Sequence, residues 1–156
     1  MANNTRTSPE IKNRKAKQNY QIHEELEVGI QLAGTEVKAI RDAKVHFGDA
    51  YVEISDKSEF WWVNAHIEEY SHGNINNHHV VRKRKLLAHK HQILKWEKSI
   101  NLKGMTIVPL KIYFKNGFAK MLIGLCTGKD NRDKRQDLIK QTQTREMDRM
   151  MKKARN

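Results

Sequence analysis

Residues 105–126 read MTIVPLKIYFKNGFAKMLIGLC, two apolar-rich runs, 105–114 and 118–126, on either side of Asn116-Gly117. A two-residue connection that follows the right-handed twist of paired strands needs positive φ at both central positions, and Asn-Gly meets that need best. The stretch is therefore predicted to be a β-hairpin. Upstream, Ile22, Glu24, Leu26, Val28 and Ile30 share one side of a period-two pattern, with His23, Glu25 and Glu27 on the other, which predicts a strand. Tyr51–Ile54 and the aromatic-rich residues 60–67 add two more candidates.

Helical spacing interrupts these strands twice. Gly34 opens a short segment in which Thr35 can cap a helix carrying Val37, Ile40 and Arg41. Leu86, Leu87, Lys90, Ile93, Leu94 and Glu97 recur at helical intervals before Gly104, so residues 84–101 are predicted to form the longest helix. Its basic lead-in, residues 82–85, runs against the preference of helix N-termini for acids. Residues 71–79, with Gly73, Asn74, Asn76 and Asn77, have no periodicity and predict a loop. Several strands with inserted helices and no βαβ repetition imply a mainly β chain, a small OB-like antiparallel barrel. The predicted division is a flexible basic arm over residues 1–18, the barrel over 19–127 and a basic tail over 128–156. The single cysteine, Cys126, makes no intrachain disulfide and reads as a buried small hydrophobe.

The formal net charge is +12, and its distribution is more informative than its sum. Residues 1–19, 78–98 and 128–156 carry +4, +6 and +5, whereas the remainder carries −3. A near-neutral body with three basic attachments points to a polyanion touching several faces, RNA first. The tail holds ten bases, five acids and few apolar residues, of which Met147, Met150 and Met151 form a narrow helical stripe. Without a partner surface it is expected to be disordered. No run approaches the roughly 18 apolar residues of a spanning helix and no hydrophobic leader is evident, so a cytoplasmic protein is expected.

Eight histidines invite a search for catalysis. His72, His78 and His79 among asparagines lack a carboxylate or cysteine at a familiar ligand spacing, so no metal site is predicted. Phosphate-binding and nucleophile-elbow motifs are missing too. A metal-independent ribonuclease would need His66 or His72 as base and Lys85 as charge stabiliser. His89 and His91 are better suited to hydrogen-bonding or stacking on RNA. Phe60, Trp61 and Trp62, and likewise Tyr113 and Phe114, are adjacent along strands, so within each group one side chain points in and the next points out. The outward ones can stack bases and the rest pack the core. Glu27 reads as an acid on the polar face of the first strand.

Six motifs in order carry a family resemblance: Asn13-Arg14-Lys15-Ala16 with Tyr20, Gly29-Ile30-Gln31-Leu32 leading into Gly34-Thr35-Glu36-Val37-Lys38, and Arg84-Lys85-Leu86-Leu87, then Val108-Pro109-Leu110-Lys111, Tyr113-Phe114-Lys115-Asn116-Gly117 and Asp133-Lys134-Arg135. Over residues 13–155 the chain resembles the SmpB family, the tmRNA-binding proteins of bacterial trans-translation. The resemblance implies an OB-like barrel, with no cofactor and no enzymatic activity, that binds the tRNA-like domain of tmRNA and delivers it to stalled ribosomes. It assigns the tmRNA-contacting face to Glu27, Leu87 and His89, with Lys38, Arg41, Arg84 and Lys85 as phosphate contacts. It assigns the ribosome to the tail: Gly128, Lys129, Arg132, Asp133, Lys134 and Arg135 at the decoding-centre end, and Met150, Met151 and Lys152 on a helix in the vacant mRNA channel of the small subunit. The tail would be disordered when free and helical on the ribosome. The 70S ribosome is the second implied partner, alanyl-tRNA synthetase and elongation factor Tu are indirect ones, and a monomer is expected. Where the family usually has a second Lys and then a His or Tyr, this chain has Asp130 and Arg132, whose planar guanidinium can still stack on a base. The alternative is a structural rRNA-binding protein of the ribosome.

Overall fold

The period-two pattern that begins at Ile22 is realised as a strand starting two residues earlier. The computed structural model of the chain describes residues 9–72, 77–129 and 131–155, the side chains of 131–134 excepted. In chain order the elements are β1 (Ile11–Lys12), α1 (Arg14–Asn19), β2 (Tyr20–Ile30), α2 (Gly34–Arg41), β3 (Val45–His46), β4 (Tyr51–Ile54), β5 (Phe60–Val63), β6 (His66–Ile67), β7 (Arg84–Leu87), α3 (Lys90–Lys103), β8 (Thr106–Lys115), β9 (Phe118–Gly128) and α4 (Asn131–Ala154). The fold is mainly antiparallel β with a few helices. One sheet has the order β1-β8-β4-β5-β7-β2-β9, and β9 also pairs with β8, so the order of neighbours returns on itself. β3 and β6 form a separate pair.

The hairpin is built as its turn chemistry requires. Asn116 and Gly117 have φ of 53° and 82°, and Lys115 faces Phe118 across the turn. Inward residues of alternate positions, Val28, Phe60, Trp62, Ile107, Ile112, Met121 and Ile123, form one core with Ala39 and Ile40 of α2 and Ile93 and Trp96 of α3. A second cluster, Ala16, Val108, Leu110 and Cys126, seats α1 on β8 and β9. Burial pushes the Cys126 thiol up to about 11, which leaves it a packing residue.

The structure revises several expectations. Arg84–Leu87 is a strand, not the first turn of a helix; it pairs with both β5 and β2, and Arg84 and Leu86 point inward with a period of two. Helical spacing of Leu86, Leu87 and Lys90 is shared by chance with that alternation, and two flanking strands decide between them. The helix starts at Lys90, with the His89 N–H bonded to Gln92 Oε1 at 3.2 Å, and ends at Gly104 in the left-handed region, φ 62°. Residues 60–67 are two strands because Asn64 takes φ 61° between them. Ala33 is the N-cap of α2, and Thr35 inside the helix bonds the His78 ring at 2.9 Å. Residues 11–18 are not a loose arm: Ile11 and Lys12 pair with β8, and Ala16 is buried. Residues 1–8 lie outside the described residues, as do 73–76 of the predicted loop. β9 extends to Gly128, which faces Tyr20. Among the described residues no helix is long and apolar enough to cross a membrane.

Candidate nucleic-acid interface

Strand register assembles the outward face. Tyr113 of β8 faces Lys120 of β9, Lys120 faces Gly29 of β2, and Gly29 faces Leu87 of β7, one row across four strands. In the neighbouring row Lys111 faces Leu122, and Leu122 faces Glu27. Glu27 and Leu87, far apart in sequence, are thus brought onto a single surface. Leu87 is 53% exposed; a Cβ at Gly29 would stand 3.3 Å from that of Leu87, so glycine keeps the row shallow beside the leucine. His89 follows β7 as the N-cap of α3, exposed, its ring stacked at 5.6 Å on that of His91.

Glu27 is exposed on the polar face, as expected, but two neighbours hold it. The Tyr113 hydroxyl donates to Oε2, and Lys115 Nζ approaches Oε1 at 3.4 Å. The Tyr113 hydrogen bond, with help from Lys115 and Lys120, holds the carboxyl below its usual range against a smaller desolvation effect. Burial and the facing carboxylate push the Tyr113 phenol up, so it remains a donor. Lys111 Nζ sits 5.3 Å over the Tyr113 ring. The result is a negatively charged acceptor of fixed direction within a lysine-rich surface.

The expected phosphate contacts divide. Lys38 and Arg41 are exposed on α2, one turn apart, Lys38 above the Tyr70 ring at 5.3 Å and Arg41 above Phe114 at 5.1 Å. Lys85 is part-exposed and 3.3 Å from Glu59. Arg84 is the correction: it has no exposed surface, so it cannot meet a phosphate. Its guanidinium binds Glu36 and the carbonyls of Ala65, Arg82, His79 and Val80. Burial pulls the Arg84 pKa down and Glu36 opposes that. Desolvation alone would raise the pKa of Glu36, yet the Ala33 N–H, Arg82 and Arg84 together hold it low. The motif basic at first sight is therefore one surface cation, Lys85, beside one structural ion pair.

In the structure the tail is the helix α4. Lys129 is its clamp: its N–H bonds Asn19 O at 3.0 Å, and its ammonium bonds Lys17 O at 2.8 Å and the Asp137 carboxylate. α4 lies against α1, while Leu138, Ile139, Met147, Met150 and Met151 are 50–72% exposed. Arg135 and Lys152 are exposed as well. Asp130 lies outside the described residues, and the side chains of Arg132, Asp133 and Lys134 are not described.

Sequence reasoning missed Lys115 and Lys120 and left Tyr113 between core and surface. The signal was present: an Asn-Gly turn of two residues fixes Lys115 opposite Phe118, and alternation then puts residues 111, 113, 115, 118, 120 and 122 on one face.

Comparison with known proteins bears on this face and tail together. A family model described as SmpB protein matches residues 10–153. An SsrA-binding protein of Chlamydia muridarum is 47% identical over 144 residues, covering 92% of this chain and 95% of that protein. One from Lactococcus lactis subsp. cremoris is 43% identical over 152 residues, 97% of each. A solved structure described as "tmRNA-SmpB: a journey to the center of the bacterial ribosome" superposes with a TM-score of 0.66 at 44% identity, covering 79% of this chain and 86% of that one.

Proposed function

We infer, from the premise that the chain belongs to the SmpB family across residues 10–153, that it is an RNA-binding adaptor of trans-translation. It binds tmRNA and delivers it to stalled ribosomes. The observation that carries this reading is the outward row of Tyr113, Lys120, Gly29 and Leu87 with the oriented Glu27 carboxylate beside it. Lysines locate the sugar-phosphate backbone without regard to sequence, whereas a directed acceptor, an apolar side chain and an imidazole address unpaired bases and 2′-hydroxyls. The tRNA-like domain of tmRNA presents both. Glu27, Leu87 and His89 are assigned to bases and sugars, Lys38, Arg41 and Lys85 to phosphates.

The barrel is read as OB-like, supported by the return of strand order from β9 to β8. The chain acts as a cytoplasmic monomer and not as an enzyme, and hands tmRNA onward in company with alanyl-tRNA synthetase and elongation factor Tu. Gly128, Lys129, Arg132, Asp133, Lys134 and Arg135 are assigned to the decoding centre, and Met150, Met151 and Lys152 to the empty mRNA channel. α4 has little packing beyond α1, its apolar residues are exposed, and most of a helix's stability in a protein comes from a packed apolar face. It therefore exchanges with disordered conformations when free and is held as a helix on the ribosome, where downstream mRNA would exclude it.

Filter binding at several salt concentrations tests the reading. Tight binding to the tRNA-like domain of tmRNA, weakened as salt rises and well above binding to bulk tRNA, is the expected result. Equal affinity for bulk tRNA, or preference for rRNA fragments, refutes it. RNA cleavage abolished by replacing His66 or His72 would point to a nuclease instead.

A further inference from the structure

Phe118 is the one large aromatic side chain among the described residues that the fold leaves essentially in solvent, 70% exposed at the tip of the β8–β9 hairpin. Core packing does not explain it. It is the first residue of β9, placed opposite Lys115 by the turn, and two residues before Lys120, a step of about 7 Å along the strand. By alternation it stands on the same side of β9 as Lys120 and Leu122, the side that meets Glu27 and Gly29 of β2. An exposed ring between two lysines, Lys115 also held by Glu27 and Lys120 with no bonded carboxylate among the described residues, is a poor site for an apolar protein surface and a suitable one for an unpaired base flanked by phosphates.

We propose that Phe118 stacks on an unpaired base of the tRNA-like domain, extending the interface past Glu27 to the hairpin tip, with Lys115 and Lys120 on the adjoining phosphates. The proposal rests on the reading of the chain as a tmRNA-binding protein, and wild-type affinity measured in parallel separates the two. If wild type fails to prefer tmRNA, that reading falls; if wild type binds and Phe118 variants bind equally well, only the present proposal falls.

The test compares F118A, F118L, F118W and K120A, each matched to wild type by circular dichroism and melting temperature. F118A and F118L should each lose about tenfold in affinity for the tRNA-like domain, because leucine keeps the apolar area without the π-face, and F118W should retain it. F118A should leave the slope of log K against log salt unchanged, since no counterion contact is removed, while K120A should reduce that slope by about one unit. A photoreactive phenylalanine analogue at position 118 should cross-link to tmRNA. F118L binding as wild type, or cross-linking to ribosomal protein in place of tmRNA, would overturn the assignment.

Discussion

Glu36 and Arg84 show how a residue's type and its task separate. An arginine in a basic run reads as a phosphate contact, but Arg84 sits on the inward phase of β7 and spends its donors inside the protein. R84A should therefore lower stability by about 3 to 5 kcal/mol, since it strips a partner from a buried carboxylate, and chemical denaturation will measure it. Glu36 has a folded pKa below its unfolded one. Its contribution is present above the ordinary carboxylate pKa and is lost as pH falls through the lowered folded value. E36Q should accordingly be less stable at neutral pH but show a shallower loss of stability on acidification, read from denaturation midpoints between pH 7 and 3. At the surface, Y113F should leave Glu27 undirected and reduce tmRNA affinity by roughly two- to tenfold. In an E27A background the same change should cost little, and equal losses in both backgrounds would show that Tyr113 does not act through Glu27.

Elements were legible to the extent that one local pattern governed them. The hairpin was readable because Asn116-Gly117 admits few other conformations, and G117A should cost about 1 kcal/mol by forcing a Cβ into the left-handed region. α3 was readable in its body and its Gly104 stop. Its start was misplaced because Leu86 and Leu87 suit both periods, and the choice between strand and helix is made by β5 and β2 on either side. β1 and α1 were hidden because two ladder pairs and one buried alanine leave no periodic trace. α4 was visible as a stripe of methionines, but what it lies against was not. Deleting residues 133–156 should leave tmRNA affinity within about twofold while abolishing alanine addition on stalled ribosomes. A truncated chain that loses tmRNA binding would show that α4 belongs to the RNA face.

For the whole molecule, charge placement and register operate at different ranges. Three basic segments around a near-neutral body were countable from the chain and supply the long-range attraction to RNA, because Coulombic attraction depends on how many charges there are and roughly where. Recognition depends on which side chains share a surface within a few ångströms. The sequence by itself determined the antiparallel β character, the hairpin register, the basic tail and, through its ordered motifs, the family. Only the tertiary structure decided that Glu27 meets Tyr113 and Lys115, that Leu87 lies level with Gly29 and Lys120, and that Arg84 faces inward. The physical reason is that these contacts join residues tens of positions apart, and their pairing is selected by the burial of a common core and not by any local preference of the chain.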